Sequence, residues 1–165
     1  LLGESREELG GSEWLAQRRG LEAGLPPEVD LAHEKRLHGL LAAGVARELI
    51  RSAHDVSDGG IAVAFAECAF TGPELVGATV RLPSTIRPDA LLFGESTGRV
   101  VATTSDAKAL IELARESGVP AECIGETGGE RLLVGPIEGE PWLDVEVASL
   151  CERWRDAIPR RLGES

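Results

Sequence analysis

Apolar residues recur every three to four positions in several stretches of the chain, which predicts amphipathic helices. The clearest is a long helix that is capped by Asp30 and ends near Glu48. Its regularly spaced apolar residues are Leu37, Leu40, Leu41, Val45 and Leu49. Shorter helical patterns predict further helices at Glu13–Arg19, Ile61–Phe70, Pro88–Leu92, Ala107–Ser117 and Val145–Ala157, with Ser12 and Asp106 as N-caps of the first and fourth.

Alternating or β-branched stretches predict strands between these helices. The predicted strands are Val76–Leu82, Arg99–Thr104, Cys123–Glu126 and Arg131–Val134, and Leu1–Ser5 reads as the end of another. The glycine-containing segment 127–130 is typical of a hairpin turn between the last two strands. Because helices and strands interleave but hairpin links also occur, we predict an α+β fold with a mixed, mainly antiparallel sheet covered by helices.

Length and charge narrow the class of protein. The 165 residues suffice for one domain, predicted as 1–165 with a tail at 160–165, and the start at Leu1 without any Met indicates a piece of a longer polypeptide. A net charge of −11 argues against a nucleic-acid partner, although a metal and local N–H groups still allow a bound nucleotide. No apolar run approaches the roughly 20 residues that cross a bilayer, so we expect no membrane association. Three widely spaced cysteines predict small buried thiols, as in a reducing cytosol: Cys68, Cys123 and Cys151.

A polar segment at residues 54–60, His-Asp-Val-Ser-Asp-Gly-Gly, lies between an extended stretch and the apolar run Ile61–Phe70. The free N–H groups of a helix's first turn favour anions. Asp55 and Asp58 offer the oxygen ligands that Mg²⁺ takes, with waters and phosphates completing its shell. The segment therefore indicates a site for a metal-bound phosphate group.

The same segment has a simpler interpretation. Gly59 and Gly60 are each about 1 kcal/mol poorer than Ala in a helix, which suggests that something approaches the backbone closely. Alternatively, Ser57 or Asp58 only caps the helix and the glycines allow a tight turn. The pattern alone leaves both interpretations open.

Two other groups of residues are candidates for binding. Glu95 and Arg99, in a glycine-flanked segment, either orient a nucleotide phosphate or sugar or form a local ion pair worth about 0–1 kcal/mol. His33 and His38 are five residues apart on one predicted helix, so their spacing argues against a shared metal.

The segment 54–60 and the following Ile-Ala-Val-Ala-Phe-Ala-Glu resemble the C-terminal domain of formylglycinamidine ribonucleotide synthetases, in the aminoimidazole ribonucleotide synthetase superfamily. Three further stretches match in the same order. They are Leu-Gly-Glu-Ser-Arg-Glu-Glu-Leu-Gly-Gly-Ser-Glu-Trp at 2–14, Leu-Phe-Gly-Glu-Ser-Thr-Gly-Arg at 92–99 and Trp-Arg-Asp-Ala-Ile-Pro at 154–159. The resemblance covers essentially the whole chain and implies a layered, partly ferredoxin-like domain.

The resemblance also implies site residues and cofactors. Asp55 is expected to be a Mg²⁺ ligand and Ser57 to contact ATP or ADP at an auxiliary nucleotide site. We predict the same nucleotide site for Gly59, Gly60, Glu95 and Arg99, and no catalytic residue within this chain. Residues 1–29 are expected to lead in from a preceding ATP-type domain that shares the site.

The implied parent enzyme is a cytoplasmic ATP-dependent ligase of purine biosynthesis that converts formylglycinamide ribonucleotide and glutamine-derived ammonia to formylglycinamidine ribonucleotide. Its expected partners are a glutaminase subunit and a small accessory subunit. One alternative is a non-catalytic scaffold domain of that enzyme. Another is a domain of a different superfamily member, such as aminoimidazole ribonucleotide synthetase or a hydrogenase-maturation or selenophosphate protein, which the Glu-Leu-Gly-Gly-Ser-Glu segment disfavours.

Overall fold

The structure is a computed structural model that describes residues 1–83 and 86–163. It divides into two compact units, the first formed by Leu1–Ala64 and Thr85–Cys123 and the second by Phe65–Ser84 and Ile124–Ser165. Each unit is therefore assembled from two separate stretches of chain. The last two residues of the predicted tail, 164 and 165, lie outside the described residues.

The first unit combines helices with a two-stranded antiparallel sheet. Its helices are α1 (Glu13–Arg19), α2 (Leu31–Ala46), α4 (Pro88–Phe93) and α5 (Ala107–Glu116), and its strands are β1 (Ser52–Asp55) and β3 (Val100–Thr103). The boundary between the units falls within α3 (Gly60–Phe70). A buried cluster holds the first unit together and consists of Leu2, Leu37, Leu40, Val100, Leu113, Ala114 and Val119.

The predicted N-caps of this unit are confirmed. The Ser12 side chain accepts from the Leu15 N–H, Asp30 accepts from the second and third residues of its helix, and Asp106 accepts from the Ala109 N–H. Each cap satisfies a backbone donor that the first helical turn leaves without a partner. These side chains explain why three helix starts were readable from the sequence.

The second unit is built on a four-stranded sheet. Its strands are β2 (Ala78–Leu82), β4 (Gly125–Thr127), β5 (Arg131–Pro136) and β6 (Leu143–Glu146), in the order β4-β2-β5-β6. Among the described residues three of the four strand pairings in the chain are antiparallel, and β2 with β5 is parallel. The predicted α+β class with mixed, mainly antiparallel pairing is confirmed, although the strands form two sheets.

The predicted hairpin between β4 and β5 is wrong, because β2 lies between them. The glycine-containing segment 127–130 is hydrogen-bonded to Gly77, the residue before β2. The Gly77 N–H donates to the Gly129 carbonyl, and the Gly128 N–H donates to the Gly77 carbonyl. A side chain at Gly125 would place its Cβ 2.1 Å from the Thr79 carbonyl oxygen. Gly125 therefore permits a close approach to β2, whereas Gly128 and Gly129, with φ of 153° and 71° and no atom within 4 Å of an added Cβ, supply the backbone conformation of the loop.

The C-terminal prediction needs two corrections, at the start and at the end of the last helix. Residues 143–146 form β6, which pairs with β5, so the last helix begins at Val147 and not at Val145. That helix, α6 (Val147–Leu162), runs into the predicted tail and is capped by the left-handed backbone of Gly163.

The three cysteines differ in exposure. Cys151 is buried as predicted, Cys68 is half-buried, and Cys123 is exposed, so the prediction for Cys123 is wrong. In the described part of the chain, every helix is too short or too polar to cross a bilayer.

Candidate functional site

The polar segment 54–60 forms the turn that joins β1 to α3, as the sequence pattern predicts. The strand ends at Asp55, and the next residue, Val56, donates its N–H to the Arg99 carbonyl at 3.0 Å. The Gly60 N–H then donates to the Ser57 carbonyl at 3.0 Å, and α3 begins. The turn is thus held from both sides, by the start of β3 and by its own backbone.

Asp55 and Ser57 lie together at the exposed edge of this turn. The Asp55 side chain is 77% exposed, and the Ser57 hydroxyl donates to its carboxylate. This hydrogen bond outweighs the opposing effect of burial and lowers the pKa of Asp55 below its ordinary value. Asp55 is therefore an accessible, ionised carboxylate at neutral pH, as a ligand for a hard cation must be.

Gly59 and Gly60 have internal reasons to be glycine. Both adopt left-handed backbone conformations, with φ of 80° and 71°. A Cβ on Gly60 would stand 2.7 Å from the Leu92 carbonyl oxygen and 2.8 Å from that of Gly94. The close approach suspected from the sequence is therefore made by the protein's own backbone, at the end of α4. Nucleotide contact by the two glycines stays a prediction.

Glu95 contacts two backbone amides from separate parts of the first unit. Its Oε1 accepts from the Gly59 N–H at 2.8 Å and from the Glu13 N–H at 2.9 Å. Glu13 is the first residue of α1, so Glu95 satisfies a donor at the start of that helix. The carboxylate therefore fixes the glycine turn to α1. Its contact with a nucleotide stays a prediction.

Arg99 is an internal residue, with 2% of its surface exposed. Its Nε donates to the Ser96 carbonyl at 2.8 Å, Nη2 to the Gly94 carbonyl at 2.7 Å and Nη1 to the Ser5 hydroxyl at 2.9 Å. Burial lowers the pKa of Arg99 to about 10, so it remains charged at neutral pH. The guanidinium thus shapes the loop at 94–99, and its contact with a nucleotide stays a prediction with less support than that of Asp55.

The N-terminal segment packs against this loop through Glu8 and Ser96. Ser96 is fully buried, and its hydroxyl oxygen accepts from the Arg6 N–H at 3.1 Å. Burial raises the pKa of Glu8, but hydrogen bonds from the Glu28 N–H and the Ser96 hydroxyl, together with the charges of Arg6 and Arg99, outweigh it and leave the pKa below its ordinary value. Glu8 therefore acts as a partly buried counter-charge to Arg99.

The turn and the loop open onto one cavity of about 470 Å³ within the first unit. This volume lies in the range of small-molecule sites. The turn contributes Asp55, Val56, Ser57 and Asp58; the loop and β3 contribute Glu95, Thr97, Gly98, Arg99 and Val100; and the remaining wall comes from Pro27, Glu34, Leu37, His38 and Leu41. Four of the six predicted site residues line it: Asp55, Ser57, Glu95 and Arg99.

The wall formed by α2 was missed by the sequence reasoning. Glu34, Leu37, His38 and Leu41 have the spacing of one helix face, which is a readable signal. The two histidines of α2 make separate contacts. His33 Nε2 lies 2.9 Å from the Gly98 carbonyl, and exposed His38 lies 3.9 Å from Glu34.

The donor set fits a metal that is only partly held by this chain. No group of three or more His, Cys, Asp or Glu side chains suited to a metal ion exists among residues 1–83 and 86–163. Mg²⁺ characteristically binds one or two carboxylates, with phosphate oxygens and waters as its other ligands. Asp55, exposed and ionised, meets the protein's share of that requirement.

Comparison with known proteins places this chain in a family. The family model described as AIR synthase related protein, C-terminal domain, matches residues 1–135. Phosphoribosylformylglycinamidine synthase subunit PurL of Moorella thermoacetica is 44% identical over 161 residues, and the subunit of that name from Anaeromyxobacter dehalogenans (strain 2CP-C) is 40% identical over 169 residues. Each alignment covers 96% of this chain, and the chain spans 22% of the length of each relative.

Solved structures from Thermotoga maritima share the fold. Phosphoribosylformylglycinamidine synthase II matches with a TM-score of 0.71 at 22% identity, covering 91% of this chain and 25% of that chain. PurL complexed with ATP matches at 0.68 and 22%, covering 91% and 24%. PurLQS matches at 0.65 and 23%, covering 86% and 25%. With the family match over residues 1–135, the chain belongs to the family of AIR synthase related proteins, as their C-terminal domain.

Proposed function

We propose that this chain is the C-terminal domain of a phosphoribosylformylglycinamidine synthase subunit and forms one wall of a magnesium–nucleotide site. The observation that carries the proposal is the 40–44% identity, along 96% of the chain, to two subunits of that name. The cavity bordered by Asp55 and Ser57 supplies a physical location for the site. The match to Thermotoga maritima PurL in complex with ATP supports a nucleotide as the ligand.

In this proposal Asp55 holds Mg²⁺ and Ser57 orients the Asp55 carboxylate and contacts the nucleotide. Gly59, Gly60 and Arg99 contribute by shaping the turn and the loop around these two residues. The metal, when bound, neutralises phosphate charge. The proposal requires the remaining metal ligands to come from phosphates, water and chain outside these residues.

The charge of the cavity supports a metal as part of the proposed site. Four carboxylates line it, those of Glu34, Asp55, Asp58 and Glu95. Among the described residues, Arg99 carries the only guanidinium that lines the cavity. This guanidinium donates to carbonyl and hydroxyl oxygens of the protein itself. A bare phosphate group would therefore be repelled, and a divalent cation would reverse the sign of that interaction.

The parent protein is proposed to be a ligase of purine biosynthesis that uses ATP, converts formylglycinamide ribonucleotide to formylglycinamidine ribonucleotide, and receives ammonia from glutamine. Because PurLQS of Thermotoga maritima is a structure of several components, we extend the proposal to a glutaminase subunit and a small accessory subunit as partners. A preceding ATP-type domain is proposed to complete the site. The enzyme is proposed to act in the cytoplasm.

A scaffold role is the second candidate, and a specific observation favours it. Gly60, Glu95 and Arg99 each make contacts that stabilise the protein itself. If the site residues did nothing else, the domain would serve only to hold neighbouring parts of the enzyme.

Calorimetry on the complete natural polypeptide that contains these residues tests the choice. We expect saturable binding of ADP in the presence of Mg²⁺, with this site contributing to the number of ADP molecules bound per polypeptide. We expect that binding to be lost when EDTA removes the metal. Identical stoichiometry for the polypeptide and for a variant carrying both Asp55→Ala and Ser57→Ala would reject the nucleotide site and favour the scaffold.

A further inference from the structure

Glu95 presents its two carboxylate oxygens to different surroundings. Oε1 accepts from the Gly59 and Glu13 amides at 2.8 and 2.9 Å, which fixes the orientation of the side chain. Oε2 makes no hydrogen bond or ion pair within the part of the chain that the structure describes. Glu95 Oε2 is also not among the buried side-chain atoms that lack a hydrogen bond in those residues. The second oxygen is therefore solvent-accessible on a residue that lines the cavity.

We propose that the two carboxylate oxygens of Glu95 have separate roles in the site. Oε1 positions the glycine turn, and Oε2 accepts a hydrogen bond from a hydroxyl group of the ligand or binds the metal that accompanies the ligand. This inference rests on the proposed nucleotide site and deepens it. A carboxylate oxygen accepts from hydroxyl groups and binds hard cations, and it repels phosphate oxygens. The ligand group next to Glu95 is consequently the sugar or the metal of a nucleotide, not a bare phosphate.

The positioning role follows from the chain connectivity. Gly59 is two residues from Ser57, and the Gly60 N–H in turn donates to the Ser57 carbonyl. Gly59 has a φ of 80°, and Glu95 is the partner that holds its N–H in that conformation. Without this hydrogen bond the turn gains freedom, and Ser57 and Asp55 are no longer presented in one arrangement to a ligand.

Two substitutions distinguish the roles of the two oxygens. In Glu95→Gln a carbonyl oxygen still accepts from both amides, while the NH₂ group replaces Oε2 with a donor. In Glu95→Ala both contacts are lost. Glu116→Gln, on the exposed surface of α5, is the control for loss of one negative charge.

The experiment measures the melting temperature without ligand and the affinity for ADP with Mg²⁺, in the complete polypeptide. We expect Glu95→Gln to keep the melting temperature of the unchanged protein and to bind Mg-ADP about tenfold or more weakly, the loss of one charged hydrogen bond. Glu95→Ala is expected to lose both stability and affinity, and Glu116→Gln to change neither.

Three results overturn the proposal. Unchanged Mg-ADP affinity in Glu95→Gln refutes the contact through Oε2, and an unchanged melting temperature in Glu95→Ala refutes the positioning role. A lowered melting temperature in Glu95→Gln refutes the separation of the two roles, because it shows that the contacts of Oε1 depend on the negative charge. Failure of the unchanged polypeptide to bind Mg-ADP is a different result, because it rejects the proposed nucleotide site itself.

Discussion

The backbone N–H of Val56 donates to the carbonyl oxygen of Arg99 at 3.0 Å. This bond extends the β1–β3 pairing, in which Asp55 lies opposite Val100, into the polar turn. It places Ser57 and Asp58 beside the loop that carries Glu95. Two segments about 40 residues apart in the sequence thus form one edge of the cavity.

We expect Asp55→Asn to weaken magnesium-dependent nucleotide binding and to leave the fold intact. The side chain is 77% exposed, and an amide oxygen still accepts from the Ser57 hydroxyl, so the melting temperature without ligand should barely change. A neutral amide is a poorer ligand for a hard cation. The increase in melting temperature produced by Mg-ADP should therefore shrink. A variant that melts earlier without ligand but keeps the full ligand-induced increase would show Asp55 to be structural.

Removing the Arg99 guanidinium should destabilise the first unit strongly. Arg99→Met leaves the Gly94 and Ser96 carbonyls and the Ser5 hydroxyl without their donor, and it removes one of the two positive charges beside Glu8, leaving that of Arg6. Urea denaturation should show a loss of about 3 kcal/mol or more in the free energy of unfolding. Arg115→Met is the control, since that exposed arginine forms a surface ion pair with Glu112, and the substitution should cost under about 1 kcal/mol. Equal effects of the two substitutions would contradict the internal role of Arg99.

Gly60→Ala should also destabilise the protein, by about 2 kcal/mol or more. The new Cβ would stand 2.7 Å from the Leu92 carbonyl oxygen in a backbone conformation with φ of 71°. Gly39→Ala is the matched control, because this helical glycine has no atom within 4 Å of the added Cβ, and it should stabilise α2 by about 0.5–1 kcal/mol. Thermal denaturation of both variants measures the contrast. Tolerance of alanine at position 60 would show that the turn can relax away from α4.

Stability should fall on acidification, in part because of Glu8. Its pKa in the folded protein lies below the ordinary value of 4.5, so its contribution is complete above pH 4.5 and is lost as the pH falls through the folded-state pKa. Glu8→Gln should lower stability at pH 7 and flatten its decline below pH 4.5. Urea midpoints measured from pH 7 to pH 3 test this. A parallel decline in the variant and the unchanged protein would exclude Glu8 as a source of the acid sensitivity.

The isolated 165-residue chain should have no synthase activity. It is proposed to form one wall of a nucleotide site, and one wall does not preorganise the charges that stabilise a transition state. Incubation with ATP, Mg²⁺, ammonia and formylglycinamide ribonucleotide, followed by chromatography for the amidine, is the test. Product formation above a heat-treated control would overturn the prediction.

Local structure was largely predictable from the sequence, because its signals are local. Ser12, Asp30 and Asp106 mark helix starts through bonds to residues two or three positions ahead. The turn at 54–60 was found for the same reason, since a strand, two glycines and an apolar run adjoin one another. The family resemblance then predicted site roles for Asp55 and Ser57, which periodicity alone would not have distinguished from caps.

Contacts between distant segments were not predictable. The sequence contains nothing local that ties Gly77 to the loop at 128–129, so β4 and β5 looked like a hairpin. Arg99 looked like a surface partner for Glu95, because its burial depends on Ser5, 94 residues away. Gly60 was correctly suspected of a close contact, but only the folded chain shows that the contacting atoms belong to α4.

The placement of β2 between β4 and β5 has a consequence for synthesis on the ribosome. The first unit has all its residues once Cys123 has been made, whereas the second needs the chain that follows. Strand β2 must wait for β4 and β5, because its paired partners, such as Leu132 opposite Ala78, lie about 50 residues downstream. We expect the nascent chain to complete its first unit earlier and to expose β2 as an unpaired edge until the last third emerges. Slowing translation just after Cys123 should then lengthen the exposure of β2 to chaperones and proteases.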